Sequence, residues 1–276
     1  MLLRPENTRL TFRKVSRQLS KLAGKPTPEN VHKFRTSSRR VEVLVSDLAE
    51  RRTGNDKKLL KLLSRLRRKA GRVRDLDVQS AALRSLKMPE QAARKSHLIR
   101  TLAEERTQRE RRLVKSLDKN TVAEVQKRLK RAAASLEIPK NADPLALARQ
   151  ELNALQGEQG AVSERTLHQY RIAGKRARYI AELADKDAEA KRLIALLNHM
   201  QDILGDWHDW VQLAESAEKL FGGVQESALV AALRNVTRAK FRQAVNTLTE
   251  TRAALAAKKP SITALSSKPP REAAVA

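Results

Sequence analysis

The length, composition and charge of the chain exclude several classes of protein. Its 276 residues, 41% of them hydrophobic, are enough for one large or two small domains with a real core. Cysteine is absent, which excludes disulfide frameworks, thiolate metal sites and cysteine nucleophiles. No apolar run is long enough to span a membrane, and the N-terminus lacks the apolar region of a signal peptide. We therefore expect a cytoplasmic protein without membrane insertion.

The net charge is the strongest global signal. The chain has 57 Lys and Arg against 31 Asp and Glu, which gives a formal charge of +26 and a pI near 10.9. This excess predicts a polyanionic partner: nucleic acid, an anionic membrane surface or a phosphate polymer. Because single-strand binders stack bases on aromatic side chains, an aromatic content of 3% weighs against single-stranded nucleic acid. Duplex binding through phosphates alone stays open.

A packing helix is predicted over residues 5–24, and a basic helix follows it from about residue 28 to 51. At 100° per residue, one stripe of the basic helix carries His32, Arg35 and Arg39, with Arg40 at its edge. A separate stripe is apolar and can face a core, with Phe34, Val41, Val45 and Leu48. Charge runs on helices are usually solvated faces, but the two distinct stripes suggest an anion site.

The next segment is interpreted as an antiparallel helix hairpin. Residues 56–70 form its first helix, and Gly71 reads as the residue that ends it. Asp75 or Asp77 then caps the second helix. Aspartates two positions apart point to different sides of a helix, which argues against a shared metal ion.

The remaining chain is also predicted to be helical, because no segment shows the period-2 alternation of a sheet. Residues 90–136 form a long polar helical region, and the Pro-containing segment 138–144 is the clearest boundary. The predicted elements after it are a helix to Leu155, a turn over 157–160, a basic helix over 167–184, a second hairpin of 185–204 and 206–220, and a helix from 224 to about 257. The tail 258–276 is expected to be disordered.

The second basic helix repeats the first. His168, Arg171, Lys175 and Arg176 lie 136 residues after His32, Arg35, Arg39 and Arg40, and Tyr170 stands where Phe34 stands. Aligning Gly71 with Gly205 also matches Arg74-Asp75 with His208-Asp209. These matches indicate a tandem duplication. We predict an all-α fold of two antiparallel helical bundles, over residues 1–138 and 139–257, related by pseudo-twofold symmetry. Such symmetry would let the two basic faces share one groove.

An enzymatic alternative uses His168, His208 and Asp209 as the metal cluster of a phosphohydrolase. The matching segment of the first half, Arg74-Asp75, lacks the histidine, and an arginine beside the site would repel a metal ion. We therefore expect a binding protein with no catalytic residues, no metal and no cofactor.

The chain resembles the CHAD domain, the conserved histidine α-helical domain, over roughly residues 5–257. The resemblance rests on His32-x-x-Arg35-x-x-x-Arg39-Arg40, on the Gly-x-x-Arg-Asp-x-Asp-Val block ending at Val78, and on their second copies. It implies a duplicated helical fold that binds inorganic polyphosphate on a basic, histidine-containing surface, often at polyphosphate granules. No fused CYTH triphosphatase domain is evident.

The resemblance assigns polyphosphate binding to His32, Arg35, Arg39, Arg40, Arg74, His168, Arg171, Lys175, Arg176 and Arg178. The two copies differ at two places, since Glu42 replaces the basic residue found as Arg178, and His208 stands where Arg74 stands. The halves are therefore expected to contribute unequally. A nonspecific nucleic-acid-binding function stays open as the alternative.

Overall fold

The computed structural model describes residues 5–139, 141–155, 162–184 and 188–257. This part of the chain is helical and has no strand, which confirms the all-α prediction. The α-helices are α1 (Pro5–Gly24), α2 (Pro28–Val43), α3 (Gly54–Ser85), α4 (Ala92–Lys115), α5 (Lys119–Ser135), α6 (Pro144–Asn153), α7 (Glu164–Ala181), α8 (Ala188–Phe221) and α9 (Ala228–Ala256). A π-helical turn (Leu44–Leu48) follows α2, and a 3₁₀ turn (Pro89–Gln91) precedes α4.

The two predicted hairpins are wrong, because α3 and α8 are each one long helix. α3 is 32 residues long and continues through Gly71, and α8 is 34 residues long and continues through Gly205. Neither helix contains a proline, and their many Leu, Ala, Lys and Arg residues favour a continuous helix despite one internal glycine in each. The N-terminal cap of α3 is Thr53, not Asp75 or Asp77. The Thr53 hydroxyl accepts a hydrogen bond from the Asp56 backbone N–H, and the Thr53 backbone N–H donates one to the Asp56 carboxylate, which forms a capping box.

Two other predicted boundaries also differ. The region 90–136 is divided into α4 and α5, because Asp118 caps α5 by accepting a hydrogen bond from the Thr121 backbone N–H at 2.8 Å. The first basic helix was predicted to reach residue 51, but its α-helical part ends at Val43 and the π-helical turn completes it. The predicted turn at 157–160 and the tail 258–276 lie outside the described residues.

Three buried apolar clusters hold the helices together. One is formed mainly by α1, α2, α3 and α5, and it includes the predicted core residues Phe34, Val41, Val45 and Leu48. A second is formed mainly by α6, α7, α8 and α9. The third combines Leu76 and Leu83 of α3 with Trp210 and Leu213 of α8, so residues from both halves share it. Burial of these side chains is the main stabilising contribution to the fold.

The contacts between helices determine where the basic residues lie. α2 packs on α3, and α7 packs on α8, while α2 also contacts α7 and α3 contacts α8. The four helices that carry the two sets of sequence motifs therefore meet at one place. The tandem duplication itself stays an interpretation of the sequence. None of the described helices is long and apolar enough to cross a membrane.

Candidate functional site

The apolar side of α2 is fixed in the core, which holds its basic side in place. The helix begins at Thr27, whose side chain accepts a hydrogen bond from the Asn30 backbone N–H at 3.2 Å. Its buried residues include Val31, Phe34 and Val41. On the other side, His32 and Arg39 are exposed and Arg35 is half-buried. The core packing thus determines the direction in which these cationic groups point.

The second basic helix, α7, is anchored in the same manner. Ser163 caps it by accepting a hydrogen bond from the Thr166 backbone N–H at 3.2 Å. Its buried side includes Leu167, Tyr170 and Ala177. On the other side, His168 is exposed, whereas Arg171 and Lys175 are half-buried.

A cavity of about 530 Å³ lies where the two basic helices meet. Its basic and acidic lining residues come from both halves: Arg35, Arg39, Glu42, Asp47, Asp75, Arg171, Lys175, Arg176 and His208. Arg39 is paired with Glu42 at 2.9 Å, and Arg176 is paired with Asp47 at 2.5 Å. Among the described residues, Arg35, Arg171 and Lys175 have no ion pair. The cavity therefore has three cationic groups available to an anionic ligand.

Gly71 allows the Arg35 side chain to lie against α3. A β-carbon at position 71 would collide with the Arg35 guanidinium. At Gly205, by contrast, a β-carbon would have no neighbour within 4 Å. The glycine that was interpreted as a helix end instead leaves room for a cavity side chain within a continuous helix.

Two half-buried aspartates, Asp75 and Asp209, face the cationic groups, although Asp75 was interpreted as a cap. Burial raises the pKa of Asp209 to about 6, while the charges of Arg171 and Lys175 act in the opposite direction. Burial likewise raises the pKa of Asp75, against the charges of Arg35 and Arg171. The prediction that Asp75 and Asp77 point to different sides is correct. Asp77 accepts a hydrogen bond from Arg106 Nε on α4 at 2.7 Å.

The cationic groups in the cavity are partly desolvated. Burial lowers the pKa of Lys175 to about 7, Arg171 lowers it further, and Asp209 opposes the change. Burial also lowers the pKa of Arg35 and of Arg171, yet a guanidinium stays charged at neutral pH. Arg171 Nε is buried and donates no hydrogen bond to any described residue. A ligand oxygen would satisfy this donor and compensate for the lost hydration.

Of the three histidines near the two basic helices, His208 lines the cavity, whereas His32 and His168 lie beside it. Burial, followed by the charges of Arg74 and Arg35, lowers the pKa of His32. Burial, followed by the charges of Arg171 and His168, lowers the pKa of His208 to about 4. The ring centroids of His168 and His208 are 5.8 Å apart. The neutral imidazole therefore predominates for both His32 and His208 at pH 7 in the absence of ligand.

Arg40 and Arg176 form ion pairs between the two halves. Arg40 Nε donates to Glu182 Oε2 at 2.7 Å, and Arg176 forms two hydrogen bonds with Asp47, at 2.5 and 3.1 Å. Each arginine thus pairs with a carboxylate located after the other basic helix. Their position indicates that they help to dock α2 against α7.

The structure distributes the predicted site residues over three places. Those that line the cavity are Arg35, Arg39, Arg171, Lys175 and Arg176. Residues whose charges or rings lie near this lining are His32, Arg74 and His168. Arg40 and Arg178 both contact Glu182, and Arg178 also donates to Asn198 at 3.1 Å. The acidic and histidine residues of the cavity lining that were not predicted as binding residues are Glu42, Asp47, Asp75 and His208, and Asp209 lies beside them. Asp75 and Asp209 could have been predicted, because they occupy matching positions in the repeated motif.

The site does not resemble a metal centre. No group of three or more His, Asp or Glu side chains in the described part of the chain is arranged to hold a metal ion. Arg171 and Lys175 lie close to the Asp209 carboxylate, and their positive charges would repel a cation. The chemistry available here is the recognition of oxyanions by guanidinium and ammonium groups.

The fold and the cavity define an all-α protein with a cationic cavity between two basic helices. The chain belongs to the CHAD domain family, whose model matches residues 8–218. This family is associated with polyphosphate binding, and its domains are in general non-catalytic binding domains.

Two solved structures share the fold. The crystal structure of the CHAD domain from the plant Ricinus communis is 18% identical with a TM-score of 0.68, over 92% of this chain and 91% of that chain. PptA from Streptomyces chartreusis is 15% identical with a TM-score of 0.62, over 91% of this chain and 96% of that chain. No curated protein sequence matches the chain.

Proposed function

We propose that this chain binds inorganic polyphosphate in the cavity between α2 and α7. The observation that carries the proposal is the convergence of Arg35, Arg171 and Lys175, which come from both halves and have no ion pair among the described residues. Polyphosphate presents closely spaced charged oxygens and no bases. Guanidinium groups can bind such oxygens in pairs, and lysine adds a mobile point charge.

The other predicted residues would have supporting roles. Arg39 is half exposed in its ion pair with Glu42, so it can turn toward a phosphate at modest cost. His32, Arg74 and His168 extend the positive surface beyond the cavity, and Arg40, Arg176 and Arg178 hold the helices that form it. We also propose that the protein binds polyphosphate without catalysing a reaction on it, and that it does so in the cytoplasm, at polyphosphate granules.

A competition experiment tests the proposal against nucleic-acid binding. Long-chain polyphosphate and duplex DNA compete for the protein at matched phosphate concentration and fixed salt. We expect polyphosphate to be preferred, and Arg35→Ala or Arg171→Ala to weaken its binding about tenfold each, whereas Arg111→Ala on the exposed surface of α4 has little effect. A preference for DNA, or equal losses in all three variants, would contradict the proposal.

A further inference from the structure

The positive charge is very unevenly distributed along the chain. Residues 1–138 contain 37 Lys and Arg against 15 Asp and Glu, whereas residues 139–257 contain 16 against 15. The cavity draws Arg35 and Arg39 from the first half and Arg171, Lys175 and Arg176 from the second. It therefore does not account for the excess in the first half.

Part of this excess forms a single row along α3, which we name the outer basic row. Its members are spaced by three, four, three and four residues, all are exposed, and they are Lys58, Lys61, Arg65, Arg68 and Arg72. This spacing keeps side chains on one side of a helix. At 1.5 Å per residue, the row is about 21 Å long.

The row lacks the neutralising carboxylates found elsewhere on the surface. Among the described residues, none of its five members forms an ion pair. On α4, by contrast, Arg106 is paired with Asp77 and Glu110, and Arg109 is paired with Glu105. The row is thus a set of cations without local partners, which is unfavourable unless an external anion approaches it.

One end of the row forms a groove with α5, and the other end lies about one helical turn from the cavity residue Asp75. The groove, of about 320 Å³, is lined by Lys58, Lys61, Leu62, Arg65, Glu124 and Arg128. Glu124 is paired with Arg128 at 2.5 Å, so its charge is already compensated. At the other end, Arg72 lies three residues before the cavity residue Asp75 on the same helix.

We propose that the outer basic row is a second binding surface for the same linear phosphate polymer, and that a long chain continues from the cavity along α3. This inference rests on the proposed function. A linear polyanion fits because the row is a narrow line of exposed cations without aromatic groups. Its last member, Arg72, lines with Asp75 a second cavity of about 580 Å³, and Asp75 also lines the cavity between α2 and α7. A short oligomer that fills the cavity would not reach the row.

The test variant is the full chain with Lys61→Gln, Arg65→Gln and Arg68→Gln. Its matched control carries Arg9→Gln, Arg13→Gln and Arg17→Gln, which remove the same charge from exposed positions of α1. Binding of tripolyphosphate and of a chain of hundreds of phosphates is measured at several salt concentrations. We expect the row variant to bind the long chain about tenfold more weakly, with a slope of log affinity against log salt reduced by about two units. Its affinity for tripolyphosphate should equal that of the parent.

Each other outcome has a definite meaning. Equal weakening in the row variant and the α1 control would show a general charge effect and overturn the inference, as would unchanged long-chain binding in the row variant. If the parent binds neither ligand, the proposed function fails as well. Thermal melting checks that the variants fold. If the triple variant does not fold, the double variant Lys58→Gln with Arg72→Gln, at the two ends of the row, replaces it.

Discussion

Lys175 is the cavity residue whose charge is most sensitive to its surroundings. Its pKa is lowered to about 7 by burial and by Arg171, while the pKa of Asp209 is raised to about 6 by burial. A bound polyanion stabilises the protonated forms of both groups, so binding takes up protons. Lys175 and Asp209 are therefore the groups whose protonation responds to ligand near neutral pH, whereas the pKa values of His32 and His208 lie below their usual range.

The first prediction concerns the pH dependence of polyphosphate binding. Affinity should rise as the pH falls from about 8 to about 6, because Lys175 gains its charge and Asp209 loses its charge over this range. Lys175→Arg keeps the positive charge throughout, so its affinity should be several-fold higher than that of the parent near pH 8 and nearly constant down to pH 7. Lys33→Arg, at an exposed position of α2, is the matched control. An unchanged pH profile in Lys175→Arg would show that this lysine does not contact the ligand.

The same residue should also affect the stability of the ligand-free protein. A lysine whose pKa is lowered by folding destabilises the folded state. This cost is full below the folded-state pKa of about 7 and disappears as the pH rises toward the ordinary lysine value. Lys175→Met should therefore raise the melting temperature at pH 6 by a few degrees and have a smaller effect near pH 10. A melting temperature that falls at both pH values would contradict the assigned desolvation.

The third prediction uses the two glycines at matching positions of α3 and α8. Replacing glycine by alanine inside a helix stabilises it by about 0.5–1 kcal/mol. In Gly71→Ala the new methyl group displaces the flexible end of Arg35, so affinity for tripolyphosphate should fall several-fold while stability is kept or increased. Gly205→Ala should give the stability gain alone, because its methyl group meets no neighbour. Equal affinities in the two variants would mean that the position of Arg35 against α3 is unimportant for binding.

At the scale of the elements, α2 and α7 are joined by charged pairs with unequal surroundings. Asp47 has a side chain only 5% exposed and depends on Arg176, with which it forms two hydrogen bonds. Glu182 pairs with Arg40 but also lies 3.6 Å from Arg178. Loss of Arg176, the partner of Asp47, should therefore destabilise the protein more than loss of Arg40, the partner of Glu182.

Thermal unfolding of single and double variants tests this difference. Arg176→Met should destabilise the protein by about 1–3 kcal/mol, because it leaves a buried carboxylate without its partner. Arg40→Met should cost less, since Arg178 remains beside Glu182. Adding Asp47→Asn to Arg176→Met should recover most of the loss. If the double variant is no more stable than Arg176→Met, the ion pair has no role in docking the helices.

At the scale of the whole molecule, the cavity belongs to neither half alone. Its unpaired cations come from α2 and α7, and the aspartates beside them come from α3 and α8. A ligand that fills the cavity contacts both halves at once. The binding site should therefore behave as one unit, with a stoichiometry of one for a ligand too short to extend outside.

Titration calorimetry with tripolyphosphate distinguishes one site from two. We expect one molecule bound per chain, and Arg35→Ala and Arg171→Ala should each weaken that single site. The parent should bind a long chain more tightly per phosphate, because joined contacts act at high effective concentration. If the parent binds two molecules, and each variant loses one site while the other site keeps its affinity, a shared cavity is ruled out.

Helical periodicity and composition were sufficient to predict the all-α fold, the buried stripe of α2 and the basic stripes of α2 and α7, since each depends on residues within one helix. The pairing of Arg40 with Glu182 joins residues 142 positions apart, and that of Arg176 with Asp47 joins residues 129 positions apart. Helical periodicity carries no information about contacts over such separations, so only the tertiary structure distinguishes the docking arginines from those with unpaired charges. The same holds for Gly71 and Asp75. Their local pattern is typical of a helix end, but packing keeps α3 continuous and places Gly71 beneath the Arg35 guanidinium and Asp75 among the cationic groups of the cavity.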